Sequence, residues 1–287
     1  MTRCFFASDL HGSPDRYRKL FGAIAEERPA GVFLGGDLLP SGLFAASHAE
    51  GIPKDFIEGF LAVEFGRLRE LLGPAYPQVF LILGNDDSCA DEPLFLELSA
   101  EGLWSYAHDR CARFGAYTVR GYSFVPPTPF FLKDWERYDV SRYVDPGCTS
   151  PEEGGRTVPV DQSTLRYSTI AQDLAALAGG DSLENAVFLF HTPPHATKLD
   201  RAALDGKMID YVPLDVHVGS IAVRRFIEAR QPLLTLHGHI HESARLTGSW
   251  RDRIERTHLF TAAHDGPELA LVRFDLEELE AATRELL

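Results

Sequence analysis

Five short apolar runs in this sequence each lead directly into polar residues. They occupy residues 5–8, 32–35, 79–83, 187–190 and 233–236. Stretches with helical spacing lie between them, for example from Tyr17 to Ile24 and from Ile57 to Leu72. Strands that alternate with helices are typical of a layered protein, so the chain is predicted to have an α/β fold.

The second half of the chain continues this pattern less regularly. A helix is predicted to carry Leu165 through Leu177. Three further strands are predicted at residues 242–246, 258–262 and 269–274, followed by a final helix that begins at Asp275.

The residues that follow the five apolar runs are of types that bind metal ions. They are Asp9, His11, Asp37, Asn85, His191, His239 and His241. Because strand ends in an open α/β sheet gather their ligand groups at one edge, these side chains are expected to share one site. Glycines precede Asp37, Asn85 and His239, and permit tight turns and close backbone approach there.

The chemistry of this set favours a pair of metal ions. Imidazole, carboxylate and amide oxygen without thiolate suit Mn, Fe, Zn, Ni or Co. Seven candidate ligands are too many for one ion, but they suit two divalent ions that share a bridging carboxylate.

In chain order, the motifs D-x-H, G-D, G-N-D-D, H and G-H-x-H resemble the five motifs of the calcineurin-like metallophosphoesterases. The resemblance implies one domain over residues 1–287, built as a four-layer α/β/β/α sandwich of two mixed sheets, with the metal pair at the carboxyl ends of the strands. One ion would be held by Asp9, His11, Asp37 and His241. The other would be held by Asp37, Asn85, His191 and His239, so that Asp37 bridges the two.

The implied activity is hydrolysis of a phosphate ester. Two adjacent cations acidify a bridging water to hydroxide, hold the phosphate oxygens and stabilise the charge of an in-line displacement. No protein nucleophile is needed. In agreement, the sequence contains neither a G-x-S-x-G elbow nor the C-x5-R loop of a cysteine phosphatase.

The third motif departs from the family at Asp86. The family usually has a histidine there, which donates a proton or hydrogen bond to the leaving group or the phosphate. An ionised carboxylate cannot donate and repels phosphate. A phosphodiester or small phosphoester is therefore the expected substrate. His195 and His217 are candidate replacements for the missing donor, although a local hydrogen-bonding or capping role is an equal or better alternative for each.

Two other readings stay open. A phosphomonoesterase is the enzymatic alternative. A metal-binding scaffold with little turnover is the non-enzymatic one: Asp86 favours it, and the complete set of seven ligands argues against it. His237, next to Gly238 and His239, is a candidate for orienting a ligand imidazole. The remaining histidines are expected to be ordinary, namely His48, His108, His258 and His264.

Residues 123–161 are rich in Pro, Gly and aromatic residues and show no periodicity. An irregular segment of this length inside a compact domain is usually functional, so we expect a lid or binding loop there. Its aromatic residues are either core or a substrate-facing wall; they are Phe130, Phe131, Trp135 and Tyr138. Arg142 is expected in a surface salt bridge or, alternatively, against a phosphate.

Composition narrows the partners. The formal net charge of −14 disfavours broad nucleic-acid binding, and hence a nuclease, which leaves a small phosphoester as the expected partner. No apolar run reaches the length of a membrane span, and the N-terminus lacks a secretory pattern, so a cytoplasmic location is expected. The four cysteines form no C-x-x-C pair and are expected to be reduced and mostly buried.

Overall fold

Two six-stranded sheets form the centre of the computed structural model, which describes residues 2–40 and 55–287. The first contains β1 (Arg3–Ala7), β2 (Gly31–Gly35), β3 (Gln78–Ile82), β4 (Ser105–Tyr106), β13 (Ala270–Asp275) and β14 (Thr283–Leu286). The second contains β5 (Cys111–Phe114), β6 (Tyr117–Tyr122), β7 (Ala186–Phe190), β10 (Leu234–His237), β11 (Arg251–Ile254) and β12 (Thr257–Thr261). A separate hairpin joins β8 (Met208–Ile209) and β9 (Val212–Pro213).

Both sheets are mixed. The first has the order β14-β13-β1-β2-β3-β4, in which β1 to β4 are parallel. The second has the order β11-β12-β10-β7-β6-β5, in which the four central strands are parallel. The carboxyl ends of β1, β2 and β3 therefore lie along one edge, as do those of β7 and β10.

The described residues form seven α-helices, five of which pack on the outer faces of the two sheets. They are α1 (Pro14–Glu27), α2 (Val63–Leu72), α3 (Glu92–Ala100), α4 (Gln162–Tyr167), α5 (Ile170–Ala178), α6 (Ile221–Arg230) and α7 (Ser243–Thr247). A π-helical turn, Ile57–Ala62, leads into α2, and short 3-10 turns span Gly73–Ala75, Cys89–Asp91 and Leu279–Ala281.

Three apolar clusters lie between successive layers of helices and sheets, so the structure has four layers. Phe5 of β1 packs with Tyr17 of α1 in a cluster between the first sheet and its helices. Phe6, on the opposite face of the same strand, belongs to the cluster between the two sheets. Phe188 of β7 and Phe226 of α6 belong to the third cluster, outside the second sheet. Alternate side chains of a strand point to opposite faces, so the buried strands are apolar on both. The predicted α/β/β/α sandwich is confirmed.

Three predicted elements were wrong. Residues 242–246 are not a strand, because the chain forms α7 and ends it at Gly248 in a left-handed conformation. The last residues pair with β13 as β14, so the helix predicted from Asp275 is absent from the described chain. The helix predicted from Leu165 to Leu177 is two helices, because Thr169 and Gln172 form a capping box that starts α5 afresh.

Residues 123–161 contain no helix or strand among the described residues. Isolated bridges hold the segment instead, such as Val125 with Glu136. Glu136 also accepts from the fully buried Lys133 at 2.5 Å. Asp139 reaches the start of α6, where its carboxylate accepts from the backbone N–H of Ile221 at 2.7 Å. These contacts anchor the segment at several points along its length.

The aromatic residues of this segment divide into two pairs. Trp135 and Tyr138 are buried, whereas Phe130 and Phe131 are exposed. Arg142 makes the surface salt bridge expected for it, with Glu152 at 2.8 Å.

Other sequence expectations have mixed outcomes. Cys4 is buried, but Cys111 is exposed and the other two cysteines are half-buried, so the thiols are not mostly buried. No helix in residues 2–40 or 55–287 is both long and apolar enough to cross a membrane. His48 lies outside the described residues.

Candidate metal centre

Backbone hydrogen bonds join the loops that follow the strands. The N–H of Asp9, after β1, donates to Gly36 O at 3.0 Å, and the N–H of His11 donates to Asp37 O at 2.8 Å. The N–H of Gly238, after β10, donates to His191 O at 2.9 Å. The loops of each sheet are therefore held together at the strand ends, which positions the predicted ligands in one place.

Four predicted ligands have a left-handed backbone. The φ angles are 56° at Asp9, 46° at His11, 51° at Asp37 and 73° at His239. This conformation is uncommon for residues other than glycine and persists only where the surrounding structure enforces it. Such strain clusters at functional sites, and here it coincides with the predicted ligands.

The glycines that precede the ligands allow the loops to approach closely. A Cβ atom on Gly84 would lie 2.2 Å from Asp37 Oδ1. One on Gly238 would lie 2.1 Å from Ser8 Oγ and 2.7 Å from Asp9 Oδ2. A side chain at either position would displace a predicted ligand, so both positions require glycine, as the sequence indicated for close approach.

One group of four predicted ligands is compact. Ligand atoms of Asp9, His11, Asp37 and His241 all lie within 4.8 Å of one another. His241 Nε2 lies 3.2 Å from His11 Nε2 and 3.2 Å from Asp9 Oδ1. Among the described residues, Asp9 Oδ2 is buried and has no hydrogen-bond partner. Buried carboxylate oxygens are rarely unpaired, so this atom fits a cation.

The second group is built around His191. Its Nε2 lies 3.0 Å from Asn85 Oδ1 and 3.3 Å from Asp37 Oδ2. Its Nδ1 lies 2.7 Å from Gly35 O, a contact that orients the ring with Nε2 toward the site. The ring of His239 lies 5.2 Å from that of His191, centroid to centroid. Asp37 is thus the carboxylate common to both groups.

The two buried carboxylates attract positive charge. Burial alone would raise the pKa of Asp37, but the charge and hydrogen bond of His191 lower that pKa to about 2. Burial would lower the pKa of His191, yet Asp37 and Asp9 raise it to about 10. Burial and the charge of His191 lower the pKa of His239 to about 3.

In the first ligand group, too, burial and neighbouring charges shift the pKa values in opposite directions. Burial opposes ionisation of Asp9, but the hydrogen bond and charge of His241 hold the pKa of Asp9 below its ordinary value. In return, Asp9 raises the pKa of His241 against burial. The buried carboxylates thus favour positive charge at this position, which a divalent cation could supply. The donor set therefore fits two cations.

Asp86 lies at this site. Its backbone N–H donates to Asp37 Oδ1 at 2.9 Å, and its Oδ2 lies 3.7 Å from His11 Nδ1. The side chain is about one-third exposed, at 35%. It therefore lies against the ligand group while still facing solvent.

The other two candidate catalytic residues each pair with a carboxylate. His195 Nε2 lies 3.3 Å from Asp215 Oδ2, and His217 Nδ1 lies 2.8 Å from Oδ1 of the buried Asp200. The two imidazole rings are neighbours, with centroids 6.0 Å apart. They form a cluster of their own near the start of α6, to which Asp200 links them through a hydrogen bond from the N–H of Gly219 at 3.2 Å.

His237 does not orient a ligand imidazole as suggested. Its Nδ1 lies 3.0 Å from Thr192 O, and its Nε2 lies 2.8 Å from Thr235 Oγ1. Both nitrogens are therefore engaged by threonines. The residue is the last one of β10 and is fully buried.

Two residues that support the site were missed from the sequence. The buried carboxylate of Asp87 accepts from the backbone N–H groups of Leu38, Leu39 and Gly84, at 2.8 to 3.1 Å. It ties the loop after β2 to the loop after β3. Its place in G-N-D-D was the available signal.

The second missed residue is Arg16, in the first turn of α1. Its guanidinium donates to Asp9 O at 2.6 Å. It also donates to the backbone oxygens of Gly266 and Pro267. No sequence pattern distinguishes it from Arg18, the other arginine of the helix.

Comparison with known proteins places this geometry in a family context. A family model described as calcineurin-like phosphoesterase matches residues 2–243. No curated protein matches the sequence with significance.

Solved structures match over nearly the whole chain. One has a TM-score of 0.60 and 16% identity, and the match covers 99% of this chain and 98% of the other. TT1561 of Thermus thermophilus has a TM-score of 0.54 and 16% identity, with the same two coverages. A dimetal phosphatase from Danio rerio has a TM-score of 0.48 and 14% identity, covering 94% of this chain and 91% of that one. At these identities the first two show a shared fold.

Proposed function

Because the chain belongs to the calcineurin-like phosphoesterase family, we propose that it hydrolyses a phosphodiester or another small phosphoester with the aid of two divalent metal ions. The observation that carries this proposal is the compact group of Asp9, His11, Asp37 and His241, whose ligand atoms lie within 4.8 Å of one another. A surface cluster of carboxylates would not combine this burial with two imidazoles. The identity of the metal, manganese included, and the cytoplasmic location stay predictions.

The residues divide between two ions as the motifs imply. Asp9, His11, Asp37 and His241 would hold one, and Asp37, Asn85, His191 and His239 the other. When bound, a pair of divalent cations supplies charge for the phosphate oxygens and lowers the pKa of a bound water. The 3.0 Å and 3.3 Å distances from His191 Nε2 to Asn85 and Asp37 support the second group.

The protein's own residues orient the metal ligands and restrict the choice of substrate. Asp87 and Arg16 hold the ligand loops through buried hydrogen bonds, so the ligands need little rearrangement. Asp86 places a carboxylate 3.7 Å from His11, where the family usually has a histidine. An ionised carboxylate at this position repels a dianionic monoester more than a monoanionic diester and donates no proton. Both effects favour diesters.

A phosphomonoesterase is the second candidate, favoured by the His217–Asp200 pair. Nδ1 of His217 lies 2.8 Å from Oδ1 of the buried Asp200, a contact that fixes the orientation of the imidazole, and imidazole is a common general acid. In this alternative His217 replaces the absent family histidine. His217→Asn would then lower the monoester rate while leaving the diester rate unchanged.

The irregular segment 123–161 is proposed to form part of the substrate pocket of this single domain. Its fixed points, such as the contact of Asp139 with α6, support a preformed wall more than a mobile lid. Shortening it should alter the preference among substrates of different size far more than the metal content.

Metal analysis combined with two parallel assays tests the proposal. We expect about two metal ions per chain after dialysis against Mn²⁺, loss of activity with chelator, and faster hydrolysis of an activated aryl diester than of the matching monoester. Two bound ions without hydrolysis of either ester would support the scaffold alternative. Failure to bind metal would reject the proposed site altogether.

A further inference from the structure

A small hairpin that belongs to neither large sheet presents apolar side chains to solvent. Within the described chain, its strands β8 and β9 pair only with each other, as Met208 with Pro213 and Ile209 with Val212. The hairpin touches segment 123–161 at Gly147, where an added Cβ atom would lie 2.2 Å from Ile209 Cδ1. All six residues from 208 to 213 are nevertheless exposed. The hairpin therefore lies against that segment while its own side chains remain accessible.

The turn of this hairpin has a conformation that its residues do not favour. Asp210 and Tyr211 have φ angles of 46° and 68°, as the type I′ turn of a two-residue hairpin loop requires. Such turns favour Asn-Gly or Asp-Gly, and a bulky residue with positive φ is uncommon. The side chain of Tyr211 is 94% exposed. Neither the geometry of the turn nor packing inside the described chain accounts for this tyrosine, which indicates a role in contact with another molecule.

The outer edge of β8 can pair with another strand. In a hairpin closed by two residues, Ile209 and Val212 exchange hydrogen bonds, so the N–H and C=O of Met208 point away from β9. In agreement with this pattern, the N–H of Leu214 donates to Lys207 O at 3.0 Å. The outer edge of β9 is less suitable, because a proline has no N–H to donate. A further strand would therefore add to β8.

The charges at the two ends of β8 complement each other. Lys207 precedes the strand and Asp210 follows it, and neither forms an ion pair among the described residues. If two copies of β8 run antiparallel about a twofold axis, Lys207 of each copy comes within reach of Asp210 of the other. Exposed ion pairs contribute little free energy, so these pairs would mainly set the register of the two strands.

The hairpin also exposes enough apolar surface for a dimer contact. Tyr211 alone offers about 200 Å². With the half-exposed Met208 and the more than one-third exposed Ile209 and Val212, the total is on the order of 500 Å² per copy. Two copies that cover these side chains would bury on the order of 1,000 Å², about the area that a specific interface requires.

We propose that a second copy of this chain binds at the outer edge of β8, so that the protein forms a homodimer with a twofold axis. The two β8 strands would pair antiparallel at Met208, and Tyr211 of each copy would pack across the other hairpin. A membrane surface matches the hairpin less well, because it offers no strand to pair with the outward N–H and C=O of Met208. This inference goes beyond phosphoester hydrolysis and does not depend on metal binding or turnover.

Sedimentation equilibrium of the full-length protein tests the proposal. The measurement uses about 0.15 M salt, which screens the repulsion between two acidic chains. We expect a monomer–dimer equilibrium with a dissociation constant on the order of 10 μM, as suits a small interface. A wild-type protein that stays monomeric at about 100 μM overturns the proposal. Sedimentation of that monomer with phosphatidylcholine vesicles would assign the hairpin to a membrane surface instead.

Tyr211→Gly separates the contact from the fold of the hairpin. The substitution removes the side chain but gives the Asp-Gly sequence that this turn prefers, so thermal stability should be equal to that of wild type or higher. The dissociation constant of the dimer should nevertheless rise at least about tenfold. Tyr167→Ala is the matched control, because this exposed tyrosine ends α4, outside the hairpin, and its loss should leave the dimer unchanged.

A charge exchange tests the antiparallel register. Lys207→Glu and Asp210→Lys should each weaken the dimer about fivefold or more, because each puts like charges together at both ends of β8. The double variant Lys207→Glu/Asp210→Lys restores opposite charges and should return the dissociation constant to near the wild-type value. A dimer that Tyr211→Gly leaves unchanged, or that the double variant does not restore, overturns the proposal.

Discussion

The backbone N–H of Asp86 donates a 2.9 Å hydrogen bond to Oδ1 of Asp37, the carboxylate shared by both groups of predicted ligands. This bond fixes the start of the Asp86 side chain beside the metal centre. The carboxylate of Asp86 lies 3.7 Å from His11 and is about one-third exposed. An acceptor therefore lies beside the predicted ligands, at the position where the resemblance implies a proton donor.

Replacing Asp86 by histidine is expected to shift substrate preference toward monoesters. A poor leaving group gains about a hundredfold or more from a well-placed proton donor, whereas an activated diester gains little. We expect the ratio of monoester to diester hydrolysis to rise at least about tenfold in Asp86→His. Both rates are measured at equal metal occupancy.

Asp86→Asn is the matched control for that experiment. It removes the negative charge without adding an imidazole, so it separates repulsion of the monoester from the lack of a donor. If wild type already prefers the monoester and neither variant changes the ratio, Asp86 has no part in selectivity. His217, on its buried partner Asp200, then becomes the donor to examine.

Changing Asp37 to alanine is expected to empty both metal positions. Its carboxylate contributes to both ligand groups and lies 3.3 Å from His191 Nε2. We expect metal content to fall from about two ions per chain to well below one, and activity to fall at least about a hundredfold. Elemental analysis after gel filtration checks the first, and an activated diester checks the second. Retention of two ions with full activity would remove Asp37 from the site.

Much of the fold follows from its sequence because buried parallel strands are apolar on both faces. The runs that became β1, β2, β3, β7 and β10 were found for this reason, and the polar residues after them do meet at the strand ends. Short edge strands carry no such signal. β4 and β11, of two and four residues, were not predicted, and the strand predicted at residues 242–246 overlaps the short helix α7.

The hydrogen bonds of Arg16 and Asp87 could not be predicted from the sequence, because they depend on the tertiary structure. Arg16 reaches Asp9 O only because α1 packs beside the loop after β1. Asp87 is adjacent in sequence to Asp86, yet its carboxylate turns inward to the amides of Leu38 and Leu39. No periodicity distinguishes an inward from an outward carboxylate in a loop. The binding of metal ions by the seven predicted ligands stays a prediction.

Replacing Asp87 by asparagine is expected to lower the stability of the folded protein. This effect does not depend on substrate binding. The carboxylate accepts three buried N–H groups, and an amide would turn a donor toward at least one of them. Unpaired buried donors cost about 1–3 kcal/mol each, so we expect the free energy of unfolding to fall by about 2 kcal/mol or more. Urea unfolding in the presence of chelator measures this apart from metal binding.

Asp210→Asn is the control for this loss. Asp210 is exposed in the turn between β8 and β9, so the same chemical change there should alter the free energy of unfolding by no more than about 0.5 kcal/mol. Equal effects at the two positions would show that the buried hydrogen bonds of Asp87 contribute nothing particular.

Glu152 is expected to make the attachment of segment 123–161 sensitive to acid. Its carboxylate accepts from Arg166 of α4 at 2.9 Å, and from Tyr138 and Arg142 at 2.8 Å each. These hydrogen bonds lower the pKa of Glu152 from 4.5 to about 2. Because the pKa is lower in the folded state, the stabilisation is fully present above about pH 4.5 and is lost as the pH falls toward 2.

Glu152→Gln should therefore unfold at lower urea concentration than wild type at pH 7, and the gap should narrow as the pH falls below 4.5. Glu153→Gln is the matched control, because its side chain is exposed and adjacent in sequence. We expect that variant to follow wild type across the whole range from pH 7 to pH 3. A gap for Glu152→Gln that stays constant down to pH 3 would mean that the carboxylate's charge is not what joins the segment to α4. The contact would then depend on packing of the side chain alone.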